Sequence, residues 1–373
     1  QAKKGTALTY LQFLLTLANF LLLCNRTLPF TPYDFQLLDV VSLIVIKKYL
    51  SPFYLAIVCL AAVFIVLVIF RRVSRLLMVP KSKQNLKEAF SCFAVVLVLA
   101  FGNLSIAVNG GVLEKHFVDL PKAYIDNGFA YSFSYSLINK GVERPDGYSP
   151  KFIMSIKDKF ISSQKKVKTP NVIFLQMESF FDLESMKDLE FSSDPIPNFR
   201  KLSDKYPSGL LTVPIIGAGT VNTEFEVVTG MKMTDFGAGE YPYKSILTTN
   251  TCESLAYNLK RHGYTSHFLH NYIAKFYGRD TVYANLGYDY FYSIEYMVGY
   301  EENENGWAKD KILLKYINEC LDATEEQDLI TAVSVQGHGK YDDIQDYEKH
   351  ITLTKCDQPE KFSSFEYYAN QLH

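Results

Sequence analysis

The chain has 373 residues, enough for two or three domains, and a formal net charge of −2. That balance carries no basic excess of the kind nucleic-acid binding calls for. Hydrophobic residues make up 48% of the whole, unevenly spread: the first third is oily and the remainder is mixed. Six cysteines, at 24, 59, 92, 252, 320 and 356, form no CxxC pair. This argues against a cysteine-built zinc site, and their scatter does not read as a disulfide framework. Buried free thiols are the expectation. The first residue is Gln1, which suggests processing or a fragment.

Three runs are apolar enough to span a membrane as helices, a task that takes about 20 residues. They are Ala7–Leu23, Tyr54–Phe70 and Phe90–Val108. Tyr54–Phe70 carries no charge and ends at Arg71-Arg72, whereas Gly102, Asn103 and Ser105 interrupt the third run. A single signal peptide does not account for three such runs. Lys3 and Lys4 precede the first span, and Arg71, Arg72, Arg75, Lys81, Lys83 and Lys87 lie between the second and third. Basic loops stay inside, so everything after about residue 109 is expected to be extracytoplasmic. Residues 25–51, on the outer side, mix apolar stretches with Asp39, Lys47 and Lys48 and read as an interfacial or re-entrant segment. Residues 1–109 are therefore taken as a transmembrane region.

Residues 110–168 place aromatics and charges at helical spacing and read as a helical stalk leading off the membrane, with a turn-rich stretch at Glu143–Pro150. From Thr169 the pattern changes. Asn171–Gln176, Leu210–Ile216, Thr265–Leu269 and Leu329–Val335 read as short buried strands of a parallel sheet. Helical stretches alternate with them at Ile196–Lys205, Thr223–Met231, Thr251–Gly263, Arg279–Leu286 and Asp310–Ala323. The alternation predicts an α/β domain over 169–373 whose ligands bind at the carboxyl ends of the strands.

Three constellations fall at such strand ends. In Gln176-Met177-Glu178-Ser179, Glu178 reads either as a ligand for a hard metal or as the cap of the next helix. In Gly217-Ala218-Gly219-Thr220-Val221-Asn222-Thr223-Glu224-Phe225-Glu226, the glycines permit a tight turn beside a ligand. There Thr220 reads either as a nucleophile or as an ordinary N-cap beside the capping box Thr223-x-x-Glu226. In Gln336-Gly337-His338-Gly339, His338 is either a phosphate or proton contact or an exposed loop histidine.

Taken in order, these motifs resemble the lipoteichoic acid synthase family, a membrane branch of the sulfatase and alkaline phosphatase superfamily. Asn171–Phe180 resembles that family's first metal-binding strand, with Glu178 in the ligand position. Residues 217–226 resemble its nucleophile loop, with Thr220 at the catalytic threonine. Lys275–Asp280 is similar to its phosphoglycerol-contacting segment, with Arg279 matching the arginine and Tyr277 standing where some relatives have tryptophan. His338 matches a substrate-contacting histidine. The resemblance implies transmembrane helices followed by an extracytoplasmic, alkaline-phosphatase-like α/β domain with a mainly parallel sheet. It implies a metal site with Mn2+, Mg2+ being the alternative, held by Glu178 and Thr220. It also implies transfer of glycerol phosphate from phosphatidylglycerol or a similar anionic lipid, through phospho-Thr220, to a lipoteichoic-acid-like polymer, glycolipid or other cell-envelope acceptor.

One feature departs from the family. Its metal site is completed by an Asp-His pair nearer the carboxyl end, and this sequence has no Asp-His dipeptide. A domain truncated at the carboxyl end, and an inactive fragment, are the corresponding expectations. The competing readings are a phosphoethanolamine transferase, a phosphodiesterase or a sulfuric ester hydrolase of the same superfamily, or an inactive membrane binding module. No CxPSR-like sulfatase nucleophile motif is present.

Overall fold

The computed structural model describes residues 15–24, 26, 28–37, 91, 94–95, 98, 102, 105–108, 110–113, 117, 119–139, 141, 146–157, 169–215, 219–339, 341, 344 and 346–373. Two compact units divide the chain: residues 1–143 with 234–240, and residues 144–233 with 241–373.

In the first unit, residues 15–23 are helical, a 3-10 turn covers Pro32–Leu37, and two helices follow, α1 (Leu120–Asn127) and α2 (Phe129–Ile138). Asp119 caps α1 by accepting from the Lys122 amide. The Arg26 guanidinium donates to both Asp34 oxygens at 2.7 Å, and the Tyr124 hydroxyl donates to the Phe30 carbonyl at 2.8 Å. No helix among the described residues is long and apolar enough to cross a membrane. The expected span Tyr54–Phe70, residues 7–14 of the first span and much of the third lie outside the described residues, as do residues 38–51 of the interfacial segment.

The second unit opens with α3 (Pro150–Lys157) and then β1 (Val172–Gln176), β2 (Leu189–Phe191), α4 (Pro197–Lys205), α5 (Val221–Thr229), α6 (Leu255–Lys260), β3 (Thr265–His270) and α7 (Arg279–Asn285). It ends with β4 (Tyr290–Ser293), α8 (Lys311–Ala323), β5 (Asp328–Val333), β6 (Leu353–Cys356) and α9 (Phe362–Leu372). Four strands form one wholly parallel sheet in the order β1-β5-β3-β4. β2 and β6 make a separate antiparallel ribbon.

Side chains alternate across a strand, and here both faces of the central strands are covered. Leu269 of β3 and Ile330 and Ala332 of β5 pack on one face with Ile312, Leu313, Tyr316, Ile317 and Cys320 of α8. Phe268 points the other way and stacks on Tyr283 of α7, their ring centroids 3.6 Å apart. Every residue of β5 is buried, as expected for the middle of a parallel sheet. The ribbon packs against α9 through Leu183, Leu189, Ile351, Leu353 and Tyr368.

Three expectations need correction. The first strand was expected to be buried, yet β1 pairs only with β5 and leaves Ile173 and Leu175 about half exposed. An edge strand has one hydrogen-bonding side and less cover. Residues 210–215 form no strand; Leu210 and Leu211 are exposed. A run of β-formers becomes a strand only where a neighbour accepts its hydrogen bonds, and β1 is not paired with it. Among the described cysteines all are free, but only Cys320 is buried. β2, β4 and β6 are additional strands whose short, tyrosine- or charge-bearing segments gave little periodic signal.

Because Ile330 lies fully buried between α8 and both neighbouring strands, Ile330→Ala is expected to destabilise the domain by about 2–5 kcal/mol. Urea unfolding followed by circular dichroism checks this.

Candidate active site at the carboxyl edge of the sheet

Parallel strands deliver all their carboxyl ends to one edge, where α/β folds hold ligands. Here that edge receives Glu178 two residues after β1, His270 at the end of β3 and the 334–339 loop after β5. The loop after β5 is packed tightly on the loop after β1. The Ser334 hydroxyl accepts from the Glu178 amide at 2.9 Å. A Cβ on Gly337 would lie 2.7 Å from the Glu178 carbonyl oxygen, so glycine is required by close approach. Ser179 sits at φ 56°, a left-handed conformation uncommon for serine, and its carbonyl accepts from the Tyr368 hydroxyl.

Thr220 occupies the N-cap position of α5 but makes no side-chain capping bond. Instead it lies near enough to the Glu178 carboxyl to favour that group's ionised form. The expected capping box is not formed either, since α5 begins at Val221, before Thr223, and Glu226 accepts from the Met233 amide at 2.6 Å. Nor does Glu178 cap a helix: the next turn, Leu183–Ser185, is capped by Asp182. Gly219, at φ +75°, brings the chain into Thr220 so closely that a Cβ there would meet the Tyr241 ring at 2.6 Å. Burial, with the Glu224 charge adding to it, pushes the Glu178 carboxyl up to about 7, against the pull of the nearby Thr220 hydroxyl and of Arg279. A carboxylate so short of water is one that gains from a cation.

Arg279 is almost wholly buried and held by a closed ring of contacts. Its Nη2 donates to Glu224 Oε1 at 2.7 Å and its Nε to the Tyr283 hydroxyl at 2.9 Å. That hydroxyl in turn donates to Glu224 Oε2 at 3.0 Å. Burial opposes the guanidinium charge, but the Glu224 carboxylate more than offsets it and keeps Arg279 protonated. Nη1 makes only a long contact, 3.4 Å to the Phe276 carbonyl. Tyr277 lies beside this group, its ring centroid 5.5 Å from the guanidinium carbon. Its φ of 60° is a strained conformation of the kind that collects at functional sites.

His338 is half-buried and bonds through Nδ1 to the Gly339 carbonyl at 3.0 Å. Its ring rests on Trp307, with centroids 4.7 Å apart. The structure also brings in residues the motifs did not single out. His270 Nδ1 bonds to the Val333 carbonyl at 2.9 Å. Burial, and then the charges of Arg279 and His338, hold its imidazole well below the usual range and hence neutral. Asp310 Oδ1 accepts from the Val335 and Gln336 amides and from Asn271, bracing the loop that carries His338. Its charge also reaches Glu178. Glu224 stood inside the quoted motif, and its place one turn beyond Thr220 was the available signal. His270 and Asp310 carried none beyond their positions at a strand end and a helix start.

Glu178 and Thr220 offer hard oxygen donors of the kind manganese or magnesium prefers. In number they fall short of a full ligand set, and no group of three or more His, Cys, Asp or Glu able to hold a metal occurs among the described residues.

A family model for sulfatases matches residues 170–373, the whole α/β region and its ribbon. The chain belongs to the sulfatase family. This sulfatase-family chain is 30% identical over 288 residues to a putative cyclic β-1,2-glucan modification protein of Rhizobium meliloti, a match covering 75% of this chain and 44% of that protein. Among solved structures it is similar to the Streptococcus pyogenes phosphoglycerol transferase GacH bound to sn-glycerol-1-phosphate. That likeness has a TM-score of 0.52 and 22% identity, over 62% of this chain and 63% of that one. The lipoteichoic acid synthase LtaP of Listeria monocytogenes gives a TM-score of 0.39 and 21% identity, over 54% and 50% of the two chains. The chain thus spans less than half the length of the Rhizobium relative.

Removing one member of a buried ion pair strands the other. Arg279→Ala is therefore expected to cost about 3–5 kcal/mol, and Tyr283→Phe about 1.5–3 kcal/mol for a hydrogen bond to a charged group, by urea denaturation. Glu178 yields a pH signature. Its folded pKa of about 7 exceeds the ordinary 4.5, so the folded state binds more protons between those values. With chelator present, stability should fall as pH rises from about 4.5 to about 7, and Glu178→Gln should remove that slope, worth about 3 kcal/mol. Melting temperatures across pH 4–8 test it.

Proposed function

We propose that this chain carries the nucleophile side of a membrane-anchored phosphoglycerol transferase whose catalytic domain lies outside the membrane. One observation carries the reading: Thr220, free of capping duty, lies beside a buried carboxyl at the sheet's carboxyl edge and favours its ionised form. In the first step Thr220 Oγ attacks the phosphorus of phosphatidylglycerol. An Oγ–P bond forms, the P–O bond to diacylglycerol breaks, and diacylglycerol leaves with a proton on its oxygen. The Thr220 proton leaves on the side of Glu178. In the second step an acceptor hydroxyl attacks the same phosphorus, and Thr220 regains its proton.

Glu178 and Thr220 would hold a manganese or magnesium ion, which when bound lowers the hydroxyl's pKa and offsets phosphoryl charge. Arg279 Nη1 and His338 contact phosphate oxygens, and Tyr277 packs against the glycerol. Neutral His270 adds a contact without a charge. A rigid, partly desolvated set of donors favours the transition state because it needs no rearrangement as charge develops.

Two likenesses support this choice. The Streptococcus phosphoglycerol transferase was solved with glycerol phosphate and shares the fold. The Rhizobium relative's description makes a cyclic β-1,2-glucan the acceptor to try first, ahead of a lipoteichoic-acid-like polymer. Membrane attachment rests on the apolar runs of the first 109 residues and on exposed apolar side chains such as Phe20, Val98 and Ile106.

The test uses the purified polypeptide containing this chain, given phosphatidylglycerol in one arm and phosphatidylethanolamine in another. Thr220→Ala is expected to abolish diacylglycerol release while leaving the circular dichroism spectrum unchanged. Undiminished release by that variant would refute Thr220 as nucleophile. Release from phosphatidylethanolamine alone would reassign the donor to phosphoethanolamine.

A further inference from the structure

The helix α3 buries none of its described side chains. All residues from Pro150 to Ile156 are exposed, including Phe152 at 51%, Ile153 at 42% and Met154 at 54%. The helix starts for local reasons: Pro150 opens it, and the Ser149 hydroxyl accepts from the Phe152 amide at 3.2 Å. At about 3.6 residues per turn, Phe152, Ile156 and Ile153 share one arc of roughly 100°. Lys151 and Met154 fall on the opposite side, and Ser155 flanks the arc next to Phe152. An isolated helix of this length is marginal in water, so its apolar arc calls for a surface.

The charge around it says which surface. Lys151 and Lys157 lie within the helix, and Lys159, Lys165, Lys166 and Lys168 follow in sequence; Asp158 is the one acidic residue from 151 to 168. A short amphipathic helix with an apolar arc, followed in sequence by a basic stretch, matches a bilayer that is apolar inside and anionic at its face. We propose that α3 lies in the plane of an anionic lipid surface, with Phe152, Ile153 and Ile156 at the headgroup–acyl boundary and Lys151 turned to the lipid phosphates. The inference is independent of the reaction assigned to Thr220. It turns the last part of the expected stalk into a segment that holds the domain down on the bilayer.

Tryptophan fluorescence tests this in the whole chain, whose single native tryptophan, Trp307, is buried and sets the baseline. Phe152→Trp and Met154→Trp probe the two sides of the helix at exposed positions. Vesicles of phosphatidylcholine and phosphatidylglycerol with brominated acyl chains are the probe. Emission from Phe152→Trp should be blue-shifted and quenched by about twofold or more, with Met154→Trp near the baseline. Quenching should weaken in pure phosphatidylcholine and on adding Lys151→Gln, whose loss lowers surface affinity about fivefold. Equal quenching at the two positions, no quenching at Phe152→Trp, or no dependence on the anionic lipid overturns the proposal. A blue shift that grows with protein concentration without vesicles also overturns it, since it assigns the face to a second copy.

Discussion

A guanidinium and a carboxylate shut away from water each carry a desolvation cost of several kcal/mol, recovered only when the two meet in good geometry. Arg279 and Glu224 meet at 2.7 Å with both side chains almost fully buried, and the Tyr283 hydroxyl closes the ring between them. The consequence is geometric. Glu224 stands one turn into α5, the helix whose N-cap is Thr220, and Arg279 opens α7. The pair therefore ties the helix that Thr220 opens to the helix that Arg279 opens, and Tyr283 carries the tie into the sheet through its stack on Phe268. A planar guanidinium suits this task better than a lysine would, because its fork fixes orientation as well as charge.

That arrangement also sets the electrostatics of the edge. Arg279 is largely neutralised by Glu224, His270 is held neutral, and Glu178 is raised by burial and by the Glu224 charge. With Asp310 nearby the cluster leans negative, a poor setting for a phosphate alone and a good one for a cation. Glu178 and Thr220 supply two oxygen donors at its centre, fewer than a full ligand set for a hard cation.

The periphery contrasts with this centre. β5 and β3 are sealed between α8 and α7, whereas β1, which delivers Glu178, is an edge strand with apolar residues exposed on both faces. Glu178 is instead steadied from the side, by Ser334 and by the close passage of Gly337. The most constrained contacts lie at the carboxyl ends of the strands, and the strand that brings the carboxylate relies on a neighbouring loop for its definition.

Sequence alone determined the class of fold and the order of the motifs, because alternating short apolar runs and helical stretches are local patterns. It also determined the candidates Glu178, Thr220, Arg279, Tyr277 and His338, because each stands in a short, spaced motif. Each local pattern nevertheless had two readings. The Thr220 motif also read as a cap, and only the folded chain showed that its side chain makes no capping bond and lies near Glu178. Leu210–Ile216 has the composition of a strand, but pairing is a property of neighbours, and none is supplied there. The buried partnership of Arg279 with Glu224 spans 55 residues of sequence, and the parts of His270 and Asp310 depend on loops that converge only once the parallel sheet has aligned its carboxyl ends. Periodicity and motif spacing are written within a few residues of chain; which charges share a desolvated space is decided by tertiary contact.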